Sequence, residues 1–191
     1  VSYLLIRILV NNIDSLLFLA TGFNVNLKTM LREGQFISAP GVFDPLSARV
    51  AESSGARTLY MTGYGVSASL LGKPDAGLVS YREMVDRVRG ICEVTESPLI
   101  ADGDTGFGGL ANVRQAVQGY EAAGASAIQL EDQEYPKRCG HTKNRKVIPA
   151  EEMVRKIKVA ALSRASSDFL IIARTDARTE HGLAEAMHRS E

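Results

Sequence analysis

Cysteine, tryptophan and net charge are all scarce in this sequence, and two of these scarcities each remove a class of protein. Cysteine occurs only at Cys92 and Cys139, far apart and without a CxxC pair. That excludes a disulfide framework and a cysteine-rich zinc site. It fits a reducing compartment, cytoplasm or mitochondrial matrix, rather than secretion. Lysine plus arginine balances aspartate plus glutamate at 22 each, so no overall field draws the chain to nucleic acid or to an anionic membrane. Neither is expected as a partner, and a small molecule is. Long apolar runs are missing too. Arg7, Asn11, Asn12 and Asp14 interrupt the first stretch, whereas a membrane helix needs about 20 apolar residues. No basic region precedes that stretch, so it is a poor signal peptide. Because the chain starts on Val1 rather than methionine, it reads as a fragment or a processed product. Residues 1–26 read as an N-terminal extension of unknown role, and 27–191 as one catalytic domain.

With 191 residues and 45% hydrophobic content, the chain can bury one core. From Leu27 onward, short apolar strands alternate with amphipathic helices. Strands are expected at Phe36–Pro40, Thr58–Met61, Pro98–Ala101, Ala127–Leu130 and Phe169–Ile172. Asp44-Pro45 should open the first helix as N-cap and first-turn proline. After the second strand a long loop is expected through Lys73-Pro74-Asp75 to a helix from about Ser80, in which Tyr81, Met84, Val85, Val88 and Cys92 recur at helical spacing and should be buried. Val113, Ala116, Val117 and Tyr120 mark the next helix. Pro149 should open another, with Val154, Ile157 and Ala161 inward, and a last helix should start near His181. A weak repeat, Glu52–Tyr60 against Glu121–Gln129, sets the same helix end, glycine stop and strand in two places.

This alternation implies a parallel sheet with right-handed crossovers, either an open doubly wound sheet or a (β/α)8 TIM barrel. Tyr60, Thr62, Asp102, Asp104, Glu131 and Arg174 fall at the carboxyl ends of successive strands, which favours the barrel. A whole barrel takes about 250 residues. Only five β/α units are counted, so the barrel is expected to be truncated, with its first and fifth strands as unpaired edges.

Three stretches carry chemistry. Asp102-Gly103-Asp104, with Glu131 one strand over and Asp75 as a weaker addition, offers oxygen ligands to a hard divalent cation, Gly103 being read as the residue that permits the turn. Lys137-Arg138-Cys139-Gly140-His141 surrounds a thiol with cations, a setting that favours thiolate. Tyr60-Met61-Thr62-Gly63-Tyr64-Gly65 could turn backbone N–H groups toward a carboxylate, and Arg174 could grip one, or else pair with Asp176 or Glu180. A rival from another class is Gly106–Ala111, which matches G-x-G-x-x-A between strand and helix, as a dinucleotide fingerprint requires. The two aspartates before it would repel a pyrophosphate.

Lys137-Arg138-Cys139-Gly140-His141 resembles the cysteine signature of the isocitrate lyase and phosphoenolpyruvate mutase superfamily. Gly41–Ala48, Thr62–Ala68, Leu71–Asp75, Asp102–Gly106 and Ala173–Ala177 look like further family blocks in order. The resemblance implies a (β/α)8 barrel, homo-oligomeric and tetramer-like, that binds Mg²⁺ (or Mn²⁺) and a small carboxylate. It implies Asp102 on the metal, with Asp75, Asp104 and Glu131 holding its waters. Thr62, Gly63, Tyr64, Gly140 and Arg174 would bind substrate, with Tyr60 in the same pocket. Cys139, Tyr60, Lys137 and His141 are the catalytic candidates, Cys139 as proton donor on a mobile loop. The reaction implied is cleavage of a 2-hydroxy di- or tricarboxylate, such as 2-methylisocitrate or a substituted malate, to an α-keto acid and a second acid. Thr62-Gly63-Tyr64 looks more like the malate-lyase or oxaloacetate-hydrolase branch.

Overall fold

The computed structural model describes residues 6–8, 26–140, 142 and 145–191. In chain order its elements are β1 (Ile6–Ile8), α1 (Leu27–Arg32), β2 (Gly41–Val42), α2 (Pro45–Ser53), β3 (Leu59–Met61), α3 (Gly63–Leu71), α4 (Tyr81–Cys92), β4 (Leu99–Asp102), α5 (Leu110–Ala122), β5 (Ala127–Glu131), α6 (Ala150–Ser163), β6 (Leu170–Arg174) and α7 (Ala177–Ser190). The sheet order is β1-β6-β5-β4-β3-β2. Strands β2 to β6 run parallel, each beside its successor, and β1 pairs antiparallel with β6. Five consecutive parallel strands with helical crossovers are a truncated (β/α) barrel, as expected. The edge at β6 is not bare, because β1, from the N-terminal stretch, lies along it with Ile6 opposite Arg174.

Period-two alternation sorts the strand residues onto two faces. Leu59, Met61, Leu99, Ala101, Ile128, Leu130 and Ile171 face one way and pack with Met84, Val88, Val113, Val117, Tyr120 and Ala160 of the helices into the main core. The opposite face carries Ile100, Ala127, Leu170 and Ile172 at its lower end, closed by Leu27 of α1. On that same parity, nearer the carboxyl ends, come Tyr60, Asp102, Gln129, Glu131 and Arg174. The polar residues therefore occupy strand positions that in-register pairing, Asp102 opposite Gln129 and Glu131 opposite Arg174, brings to one level.

Local chemistry explains the helix starts. Asp44 and Ser80 each form a reciprocal capping box, with Ser47 and Glu83, each worth about 1 kcal/mol. Gly55 and Gly124, at φ +94° and +100°, stop the two repeated units. Glu52 and Glu121 extend the parallel: each carboxylate accepts from two backbone N–H groups of a later loop, Glu96 and Ser97 for one, Ala165 and Ser166 for the other.

Four expectations are corrected. The first barrel strand is Gly41–Val42, and Phe36 is 93% exposed; Pro40, which has no N–H to donate, contributes only its carbonyl to the ladder, accepting from Tyr60 N–H. The stretch read as a long loop contains α3, capped by Thr62 and stopped at Gly72 in a left-handed conformation. Helix α6 packs Ile157 against the main core, as expected, but its fully buried residues are Lys156 and Ala160, and Val154 is exposed. Helix α7 begins at Ala177, a turn before His181, and bends at Gly182. Cys92 packs against the main core as expected, and burial pushes its thiol up to about 11. Among the described residues, no helix is long and apolar enough to cross a membrane.

Candidate active site

Four carboxylates and two bases meet at the strand ends. Asp102, the last residue of β4, is buried; its Oδ2 accepts from Gly63 N–H at 3.2 Å and its Oδ1 from Asp104 N–H at 3.0 Å. Gly63 therefore faces a carboxylate, but that of Asp102, and a Cβ there would stand 2.9 Å from Oδ2. Thr62 caps α3 through Gly65 N–H, and Tyr64 is exposed. Tyr60 Oη accepts from Gln129 Nε2 at 2.8 Å, and burial together with Asp102 holds its phenol well above the usual range.

Gly103 is needed for a different reason from the one expected. It is Asp104 that takes the left-handed conformation, at φ +48°. Gly103 lies so close to β5 that a Cβ would come 2.6 Å from Ile128 Cγ1 and 2.9 Å from Gln129 O, and its N–H donates to that carbonyl at 2.8 Å. Tyr120 donates to the Asp102 carbonyl at 3.0 Å, and Lys156, buried, to that of Thr105. The turn after β4 is thus held from below by two helices.

Lys137 corrects the thiolate argument. Its ammonium reaches away from Cys139, lying 2.7 Å from both oxygens of Asp75 and 2.6 Å from Asp104 Oδ1. Burial would lower its pKa, but the surrounding carboxylates outweigh that and raise it. Arg138 is exposed, and His141 lies outside the described residues. Cys139 itself is half-buried, and its carbonyl accepts from Thr142. Gly140 lies directly against Arg174 Nη2, with no room for a Cβ.

Arg174 makes the expected ion pair with Asp176 and an unexpected one with Glu131. Nη1 pairs with Glu131 Oε2 at 3.1 Å, and Nη2 with Asp176 at 3.2 Å. Burial drives the Glu131 carboxyl well up against the pull of Arg174, and burial with Asp102 nearby pushes Asp104 up to about 7 despite Lys137. Among the described residues, no three acidic, histidine or cysteine side chains already converge as a metal cage, because Lys137 and Arg174 stand among the acids. The donor set still fits a hard cation. It is all oxygen, Glu131 Oε1 is buried without a hydrogen bond, and Mg²⁺ keeps several waters instead of demanding a full protein cage.

Residues that sequence reasoning passed over complete the site. Asp132, fully buried, accepts from Thr175 Oγ1, Asp176 N–H and Arg189. Gln133 and Asp176 join the loop to Arg174, as developed below. Both lie inside stretches singled out for other residues, Gln133 two positions beyond Glu131. The first half of Gly106–Ala111 is packed, since Phe107 rests on Tyr81 and Tyr120 and a Cβ at Gly106 would strike Val113 at 2.5 Å, whereas Gly109, Leu110 and Ala111 are exposed. A cavity of about 720 Å³ borders the site at Asp132 and Arg174 and runs between α6 and α7, lined there by Met153, Ile157 and Arg189 among others.

A truncated barrel with acids and an arginine gathered at consecutive strand ends defines a barrel enzyme that works at the carboxyl face of its sheet. The phosphoenolpyruvate phosphomutase family model matches residues 27–191, and the chain belongs to the phosphoenolpyruvate mutase/isocitrate lyase superfamily. It is 49% identical over 163 residues to 2,3-dimethylmalate lyase of Eubacterium barkeri, covering 85% of this chain and 56% of that one. A solved oxaloacetate acetylhydrolase in complex with 3,3-difluorooxalacetate superposes with a TM-score of 0.83 at 41% identity, covering 86% of this chain and 57% of the other. A phosphonopyruvate hydrolase solved with oxalate and Mg²⁺ superposes with a TM-score of 0.79 at 38% identity, covering 87% and 57%. The chain thus spans a little over half the length of these relatives.

Proposed function

We propose that the protein acts as a Mg²⁺-dependent carbon–carbon lyase on a 2-hydroxy di- or tricarboxylate of the 2,3-dimethylmalate or 2-methylisocitrate kind. The observation that carries this reading is a pair of buried atoms without partners, Glu131 Oε1 and Arg174 Nε, at adjacent strand ends beside Asp102 and Asp104. An anionic ligand with an attached divalent cation supplies what each lacks: an acceptor for Arg174 and a positive charge for Glu131. Asp102 would hold the cation, with Asp75, Asp104 and Glu131 around it. When bound, the metal polarises the hydroxyl and carboxylate oxygens of the substrate. Arg174 binds and orients the carboxylate, and Gly63 N–H keeps Asp102 aimed. Cys139, brought near by the loop that touches Arg174 at Gly140, protonates the carbanion left by C–C scission.

The relatives' names support this class and divide on the reaction. The second reading is oxaloacetate hydrolysis, favoured by the 41% identity to the acetylhydrolase. A third outcome is a chain that binds but does not turn over, since the relatives are nearly twice as long. One experiment separates them: purified protein is offered 2,3-dimethylmalate, 2-methylisocitrate and oxaloacetate with Mg²⁺ or with EDTA, as parent and as Cys139→Ala. Pyruvate from the hydroxy acids, lost with EDTA and with Cys139→Ala, is expected. Oxalate from oxaloacetate selects the second reading. Mg²⁺-dependent oxalate binding without turnover selects the third, and no Mg²⁺-dependent binding in folded protein refutes all three.

A further inference from the structure

We propose that Gln133 is a positioning residue that ties the Cys139 loop to Arg174, so that loop base and guanidinium shift together. The proposal rests on the reading of Arg174 as the carboxylate-binding group. Gln133 is fully buried at the stem of the loop, where Glu134 N–H donates to Lys146 O and Ile148 N–H to Asp132 O. Its amide oxygen accepts from Arg138 N–H at 3.0 Å. Its amide nitrogen donates to Arg138 O at 3.0 Å and to Asp176 Oδ2 at 2.8 Å.

Asp176 in turn accepts from Arg174 Nη2 on both oxygens at 3.2 Å, and its own N–H is fixed by Asp132 Oδ1 at 2.8 Å. Arg174 Nη2 meets the loop again at Gly140. The connections form a closed ring: Gln133, Arg138, Gly140, Arg174, Asp176 and back to Gln133. The residue type follows from the ring. Only a primary amide offers one acceptor and two donors without charge. A glutamate there would face the Asp176 carboxylate at hydrogen-bond distance, and an aliphatic side chain would release Arg138. A ligand carboxylate that re-aims Arg174 takes a partner from Asp176, and Gln133 passes that change to the backbone that carries Cys139.

Trypsin reads the ring directly. The Arg138 side chain is exposed, yet its N–H and C=O are both held by Gln133, so the Arg138–Cys139 bond is cut only when that grip opens. In the ligand-free 191-residue chain, Gln133→Leu is expected to speed this cut roughly tenfold and Asp176→Ala roughly threefold, the scale of one or two buried hydrogen bonds. The double variant is expected to be no faster than Gln133→Leu alone. Cleavage elsewhere and far-UV circular dichroism serve as the folding control. Gln133→Glu, which keeps size and the Arg138 N–H acceptor, is the second variant and should also accelerate the cut. In parallel, the affinity for oxalate with Mg²⁺ should fall roughly tenfold in Gln133→Leu although residue 133 does not reach the ligand.

Unchanged cleavage at Arg138 in both Gln133 variants overturns the proposal, as do rates that multiply independently in the double variant. Undiminished oxalate affinity in Gln133→Leu overturns it as well. If the parent binds no oxalate, the functional reading of Arg174 fails, and the ligand-free cleavage cycle still decides whether the ring is coupled.

Discussion

Replacing Lys137 by methionine isolates the charge balance of the site. The side chains of Lys137, Asp104 and Asp75 are 3%, 10% and 11% exposed, so removing the ammonium leaves two carboxylates buried without their cation. Deleting one partner of a buried pair costs about 3–5 kcal/mol. The pH dependence is sharper than the magnitude. Asp104 is pushed up to about 7 in the parent, against about 3.9 in an unfolded chain. Between those values the folded state holds a proton that the unfolded state has lost, so stability falls as pH rises and levels off above 7. Without Lys137 the carboxyl moves higher still, and the fall continues. The stability gap between parent and Lys137→Met should therefore be flat from pH 5 to 7 and widen by about 1.4 kcal/mol per pH unit above 7. Urea unfolding at pH 6, 7 and 8 without divalent cations measures it. A gap under 1 kcal/mol, or one that does not change between pH 7 and 8, would refute the buried-pair account.

Three further outcomes are expected. Gly103→Ala forces a Cβ to within 2.6 Å of Ile128 and 2.9 Å of the Gln129 carbonyl; since the backbone of β5 cannot yield cheaply, thermal unfolding should show a loss of about 2–3 kcal/mol. Cys92, with its thiol pushed up to about 11, should resist iodoacetamide at pH 8 in the native chain and react after urea unfolding, as peptide mass spectrometry would show. If Mg²⁺ binds at the acids, calorimetry in buffers of different ionisation enthalpy should detect proton release that is larger at pH 6 than at pH 8, because Asp104, pushed up to about 7, must give up its proton to accept the cation.

Much of this was legible in the sequence because strand parity is local. Once β3 to β6 were placed, Tyr60, Asp102, Glu131 and Arg174 had to share a face and a level. Helix caps at Asp44 and Ser80 were equally local. What escaped depended on distance through space. Lys137 lies two residues from Cys139 yet turns to Asp75, 62 positions earlier, and no pattern of neighbours discloses that. The role of Gly103 was misjudged for the same reason, since its constraint comes from Ile128 across the sheet. Helix α3 was missed because Gly63 and Gly65 read as loop, whereas its start is fixed by the Thr62 cap and by the bond from Gly63 to Asp102. The edge at β6 escaped because strand pairing by Ile6–Ile8 joins the two ends of the chain.

The same distances explain why loop and acids belong to one device. Among the described residues, Lys137 and Arg174 are the cations paired with Asp75, Asp104 and Glu131 beside Asp102, so full ionisation of these four acids would leave two negative charges without a cation there in a largely buried site. Such a cluster has two ways to neutralise itself, by holding protons or by taking up a divalent cation, and burial raises the Asp104 and Glu131 carboxyls toward the first. Lys137 supplies part of the compensation from the loop, and Arg174 touches the same loop at Gly140. A cation arriving at the acids weakens the hold of Asp75 and Asp104 on Lys137, and an anion arriving at Arg174 weakens that of Glu131 and Asp176. Metal and carboxylate would thus act on the Cys139 segment from two sides, through two bases that join the loop to the strand ends.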